Sequence, residues 1–165
     1  MKAISLVASS TFAILVAASL SSCAASPEQQ RSDALTRYVE AERETIPALL
    51  AAFPELYSSV EISGQVGDDL AGVAVVNFTY TYLNIVEFEQ GWMQPSWIAA
   101  RPSWARPLVP QAELEAGKAQ LKTQCELTIF PAMREAGITG PMRVEYVYLQ
   151  PTSAVSWDVT CESVA

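Results

Sequence analysis

No histidine occurs anywhere in the 165 residues. That absence removes Ser-His-Asp and Cys-His catalysis and the usual histidine zinc sites together. Glycine appears only seven times, and nowhere in a loop that could cradle phosphate. Gly137-Ile138-Thr139-Gly140 is no more than two glycines about a turn. No acids fall at EF-hand spacing. Basic residues are few as well: 10 Lys and Arg stand against 18 Asp and Glu, a formal charge of −8. That sign opposes binding to nucleic acid or to anionic headgroups, so nucleic acid is excluded as a partner. No cofactor and no metal is called for. What survives is carboxylate chemistry.

Glu87 and Glu89 sit two apart in Val86-Glu87-Phe88-Glu89. On a strand they would share a face with Cα atoms roughly 6.5–7 Å apart. Paired carboxylates can hydrolyse glycosides, which makes an envelope hydrolase the alternative function. Val86 and Phe88 would then face the core, however, and a solvated outer face needs acids for solubility alone. Asp68-Asp69 is a turn pair with little to hold Ca²⁺.

Lys2 is followed by an uncharged, mostly apolar run from Ala3 to Leu20. This is the n-region and h-region arrangement of an export signal. A plain membrane anchor would need about 20 apolar residues, and the way the run ends argues for cleavage instead. Leu20-Ser21-Ser22-Cys23 resembles the lipobox of bacterial lipoproteins. The resemblance implies diacylation of the Cys23 thiol, cleavage before it, and anchoring on the extracytoplasmic face of the cell membrane. Residues 1–22 are then the signal peptide, 23–32 a polar tether, and 33–165 a single domain. Cleavage removes Lys2 and no acid, so the formal charge passes from −8 to −9.

With lipid on Cys23, two cysteines remain in an oxidising compartment. Cys125 lies on the apolar stripe of an expected helix with Leu114, Leu121, Thr128 and Ile129. Cys161 closes the alternating run Val155, Trp157, Val159, Cys161. Both thiols should point into one core. A Cys125–Cys161 disulfide is the expectation, two separate buried thiols the competing one.

Ser32 or Asp33 can cap a first helix, whose apolar positions are Leu35, Tyr38, Val39, Ile46, Leu49, Leu50 and Phe53. Pro47 should kink it and Pro54 end it. Two strands follow, around Val60–Ile62 and from Gly72 to about Tyr82, separated by a turn at Gly67-Asp68-Asp69. A second helix is expected over about Gln111–Ala136, kinked at Pro131 and closed by a Schellman motif in which Gly137 lets Ile138 pack on Met133. Met142–Leu149 and Val155–Cys161 form a hairpin. The fold class is α+β, two-layer, α-β-β-α-β-β, with an antiparallel sheet and helices on one face. This plan, with its Tyr-x-Tyr strand and Pro-Ala-Met helix end, looks like small exported lipoproteins of unknown function from Gram-positive bacteria. That likeness transfers no catalytic residue. The runs Tyr80-x-Tyr82 and Tyr146-x-Tyr148 read as sheet-stabilising neighbours rather than a ligand platform.

Residues 85–110 are the least ordinary stretch. Three of the four tryptophans fall here, Trp92, Trp97 and Trp104, and Pro95-Ser96-Trp97 is echoed by Pro102-Ser103-Trp104. Between Glu89 and Glu113 the only charges are Arg101 and Arg106. Such long connections in compact domains are uncommon and often functional. One reading makes the tryptophans a flap sealing the sheet. The other makes Trp92, Trp97, Arg101, Trp104 and Arg106 a contact surface, since Trp and Arg dominate interface hot spots. The expected function is a non-enzymatic binding or interaction module of the cell envelope, its partner an envelope protein or cell-wall glycan.

Overall fold

The computed structural model describes residues 25–67, 72–89 and 94–163. Cys23, the lipobox, Asp68-Asp69 and Trp92 lie outside the described residues. Helix α1 spans Pro27–Arg43 and α2 spans Ile46–Ala52. Strands β1 (Tyr57–Val66) and β2 (Ala74–Tyr82) follow, then a short α3 (Pro95–Ala99). Helix α4 (Gln111–Gln124) continues through a π segment (Cys125–Ile129) into α5 (Phe130–Glu135). Strands β3 (Met142–Leu149) and β4 (Val155–Ser163) complete the fold, which is α+β. No helix among the described residues is long and apolar enough to cross a membrane.

The first helix begins earlier than its apolar spacing predicts. Ser26 accepts from the Gln29 amide and Pro27 occupies the first turn, where a missing N–H does no harm. Residues 27–32, read from sequence as tether, are therefore helical. Their role is clearest at Arg31, whose guanidinium donates to the Gly72 carbonyl and, at 2.5 Å, to the Pro141 carbonyl. One side chain thus holds the entry points of β2 and β3 together. At Pro47 the helix breaks instead of kinking: the chain turns at Glu44-Thr45 and restarts, with proline in the new first turn.

The sheet order is β1-β2-β3-β4. The outer pairs are antiparallel, as expected, but β2 and β3 run parallel, with Phe78 opposite Tyr146 and Tyr80 opposite Tyr148. The sheet is therefore mixed, not antiparallel. The long helical return carries the chain back to the end where β2 starts, shown by the Ala74 amide bonding the Pro141 carbonyl at 3.1 Å. A strand that starts beside the start of its neighbour must run parallel to it.

One sheet face carries Val60, Ile62, Val76, Phe78, Val144, Tyr146, Val159 and Cys161, all buried. Gly64 lies on this face too: a Cβ there would come within 2.7 Å of Val39, so α1 needs glycine to sit this close. The opposite face presents polar groups, among them Arg143, which bonds Glu162 at 2.8 Å. Helices on one face is therefore the observed arrangement.

The π segment answers Pro131. Proline in an α-helix lacks its N–H and clashes with the carbonyl four residues back. Widening the preceding turn, with the Phe130 amide reaching the Cys125 carbonyl, relieves this. It also rotates the stripe. Phe130, five residues after Cys125, is buried, whereas Thr128, expected in the core, is exposed. The helix ends as its sequence predicts. Gly137, at φ 94°, donates to the Arg134 carbonyl, and the Ile138 amide donates to the Met133 carbonyl at 3.0 Å. Ile138 and Met133 are both fully buried.

Candidate binding surface

Residues 85–110 leave the sheet at the end of β2 and return to it at α4. Their two ends are laced together. The Arg106 amide bonds the Ile85 carbonyl at 2.8 Å, the Val109 amide the Glu87 carbonyl at 2.9 Å, and the Glu89 amide the Val109 carbonyl at 2.8 Å. The Gln150 side chain grips Val86 from both sides, accepting from its amide and donating to its carbonyl. Val86 is buried and Phe88 packs against the core, edge-on to Trp157. The base of the segment is thus a backbone-bonded extension of the domain.

Above this base the near-repeat takes two conformations. Pro95 opens the single-turn helix α3, with Trp97 in its first turn. Pro102 opens a turn in which the Ala105 amide bonds the Pro102 carbonyl at 3.0 Å. Both place the indole outward: Trp97 is 72% exposed and Trp104 55%. Exposure of that size does not fit a flap that seals the sheet.

The two arginines of the segment turn inward. Arg101 pairs with Glu87 at 3.4 Å and donates to the Arg106 carbonyl at 2.9 Å, bracing the loop from inside. Glu87 is therefore an ion-pair partner. The depression beside it, lined by Ser96, Trp97, Ala100, Arg101 and Pro102, holds no second acid. Two carboxylates, Glu126 and Glu162, do meet in a surface depression beside Lys122. Both are exposed there, and Glu162 is already held by Arg143. This is an ion-pair surface, with none of the apolar enclosure that tunes a catalytic acid. Among the described residues no cluster of acids and cysteines is arranged to hold a metal ion.

Arg106 is half-buried, and its Nε meets no hydrogen-bond partner among the described residues. It stands between two hollows. One, of about 440 Å³, is walled by Trp104 with Glu55, Leu83, Asn84 and Ser103. The other, of about 560 Å³, is an apolar groove between the segment, α4 and the end of the sheet. That groove was not evident in the sequence, because its walls come from positions as distant as Leu56 and Trp157. Gln150 was also missed, although a lone amide ending an alternating strand before Pro151 is a usable signal.

The tyrosine runs are structural. Tyr80 stacks on Tyr148 at 4.8 Å, and Tyr148 on Trp157 at 3.8 Å, forming a row across β2, β3 and β4. Tyr57 joins from β1 against Tyr82 at 5.6 Å. The Trp157 indole N–H donates to the Tyr82 hydroxyl at 3.1 Å, fixing the last strand to the second.

Compared with protein-family models, with curated proteins and with solved structures, the chain matches none. The functional reading therefore rests on the site alone.

Proposed function

We propose that this chain is a lipoprotein of the cell envelope, anchored through Cys23, whose domain binds a partner through the surface around Trp97 and Trp104. The observation that carries the reading is the exposure of two indoles, 72% and 55%, on a segment strapped down at both ends. Leaving large aromatic faces in water is unfavourable unless something covers them. Holding them on a braced loop lowers the ordering cost of binding. Asn84, Ser103 and Glu55 beside Trp104 supply hydrogen-bonding groups next to a flat apolar face. That combination suits a sugar ring, so cell-wall glycan is the favoured partner over an envelope protein.

Two outcomes test this. Replacing Cys23 by Ser is expected to move the chain from the membrane fraction to the soluble fraction; membrane retention of the variant would rule out the anchor. In co-sedimentation with purified insoluble cell wall, the wild type is expected to pellet and the Trp97→Ala/Trp104→Ala variant to stay in solution. Its thermal midpoint should move by no more than about 2 °C, since exposed substitutions usually lie within about 0.5 kcal/mol. A midpoint lowered by more than about 5 °C, with pelleting unchanged, would make the indoles structural instead. A wild type that fails to pellet would overturn glycan as the partner.

A further inference from the structure

The groove behind Arg106 is built differently from the indole surface. Leu56, Val86, Leu108, Leu114 and Trp157 supply apolar walls around about 560 Å³, a volume typical of small-molecule sites. Two charged residues reach it, Arg106 and Glu113. They do not form an ion pair with each other, and among the described residues Arg106 pairs with no carboxylate at all. A half-buried guanidinium with an unpartnered Nε at the edge of an apolar space is a poor structural element, because the desolvated donor gains nothing in return. It is a good anchor for an anion.

Gly117 is the second observation. It lies inside α4, lines the groove, and a Cβ added there would meet nothing within 4 Å. Glycine is the least favourable helix-interior residue after proline. At Gly64 a close contact accounts for the glycine, and at Gly72, Gly137 and Gly140 a positive φ does. At Gly117 neither applies, and what the missing side chain leaves is open groove.

We propose that this groove is a binding site for a small monoanionic amphiphile, its apolar body lying along Leu114, Gly117 and Trp157 and its carboxylate meeting Arg106. Glu113 repels a second negative charge, which sets the preference for a monoanion. The site is distinct from the indole surface and stands whether or not that surface binds glycan.

Octanoate, 1-octanol and octylamine test it by titration calorimetry on the full chain in nanodiscs of zwitterionic lipid, with empty nanodiscs subtracted. Octanoate is expected to bind at least about tenfold more tightly than octanol, the margin of one charge-assisted contact. Arg106→Gln should erase that preference. Gly117→Leu, which fills the groove with a better helix former, should abolish binding of both probes in a chain that stays folded. Equal affinity for octanol and octanoate, tightest binding of octylamine, or binding that survives Gly117→Leu would each overturn the proposal.

Discussion

Replacing both members of the Cys125–Cys161 bridge by alanine is expected to remove roughly 3–4 kcal/mol of stability. The bridge joins the first residue of the π segment to β4, with Cα atoms 6.4 Å apart and a sequence separation of 36. Freeing a loop of that length raises the entropy of the unfolded chain. What the bridge secures is an edge: β4 pairs on one side only, with β3. The thermal midpoint should fall by about 10 °C for a domain of this size. Urea unfolding checks it, with the midpoint falling and the slope rising as the unfolded chain expands. An unchanged midpoint would mean that the bridge only decorates a helix and strand already held by packing.

A comparably large effect is expected at high pH. All six tyrosines of the chain have phenols raised above their ordinary value near 10, in every case mainly because burial penalises the tyrosinate. Tyr80 and Tyr146 are pushed up to about 12. Neighbouring charge adds to burial: Glu42 opposes ionisation of Tyr38, Tyr80 and Tyr146. At Tyr82 the Trp157 hydrogen bond and the Arg106 charge work the other way without winning. The sign follows directly. The folded protein holds protons that the unfolded chain releases above pH 10, so the stabilisation is complete below pH 10. It is lost as pH rises toward 12 and beyond. For Tyr38, Tyr82, Tyr146 and Tyr148, each under a tenth exposed, the loss is about 1.4 kcal/mol per pH unit per phenol. Tyr57 and Tyr80, partly open to solvent, contribute less. Ultraviolet absorbance should therefore show little tyrosinate until the protein unfolds cooperatively, with circular dichroism lost in the same step. Several phenols ionising near pH 10 with the fold intact would contradict this packing.

These two effects differ in how far they could be foreseen. The disulfide follows from two local periodicities, one helical and one alternating, that aim both thiols at the same core. The Schellman closure at Gly137 is likewise local chemistry. The mutual burial of the tyrosines was only half legible. Alternation places Tyr80 and Tyr82 on one face of their strand, and Tyr146 and Tyr148 on one face of theirs. That the two strands lie side by side, with Tyr80 opposite Tyr148, depends on a parallel pairing between segments more than sixty residues apart. An antiparallel sheet was the economical expectation, since hairpins need no crossover. The helical return from residue 111 to residue 135 is what overrules it.

The site divides in the same way. The sequence alone marks residues 85–110 as unusual, through tryptophan, proline and a local excess of positive charge. It does not reveal that Trp97 and Trp104 face outward while Arg101 and Arg106 turn inward. Arg101 turns in because Glu87, itself a candidate acid, stands within reach across the base of the loop. Arg106 stands at the edge of the groove where Leu56, α4 and Trp157 converge.

Fold class, the Schellman closure at Gly137 and the cysteine pairing were thus legible in the sequence itself, because each follows from local pattern. The parallel central strands, the π segment's rotation of the core stripe, the Arg31 clamp, the exposure of Trp97 and Trp104 and the groove behind Arg106 were decided only in three dimensions. Each is set by which distant segments meet, and a side chain's surroundings then depend on partners that neither its neighbours nor its spacing disclose.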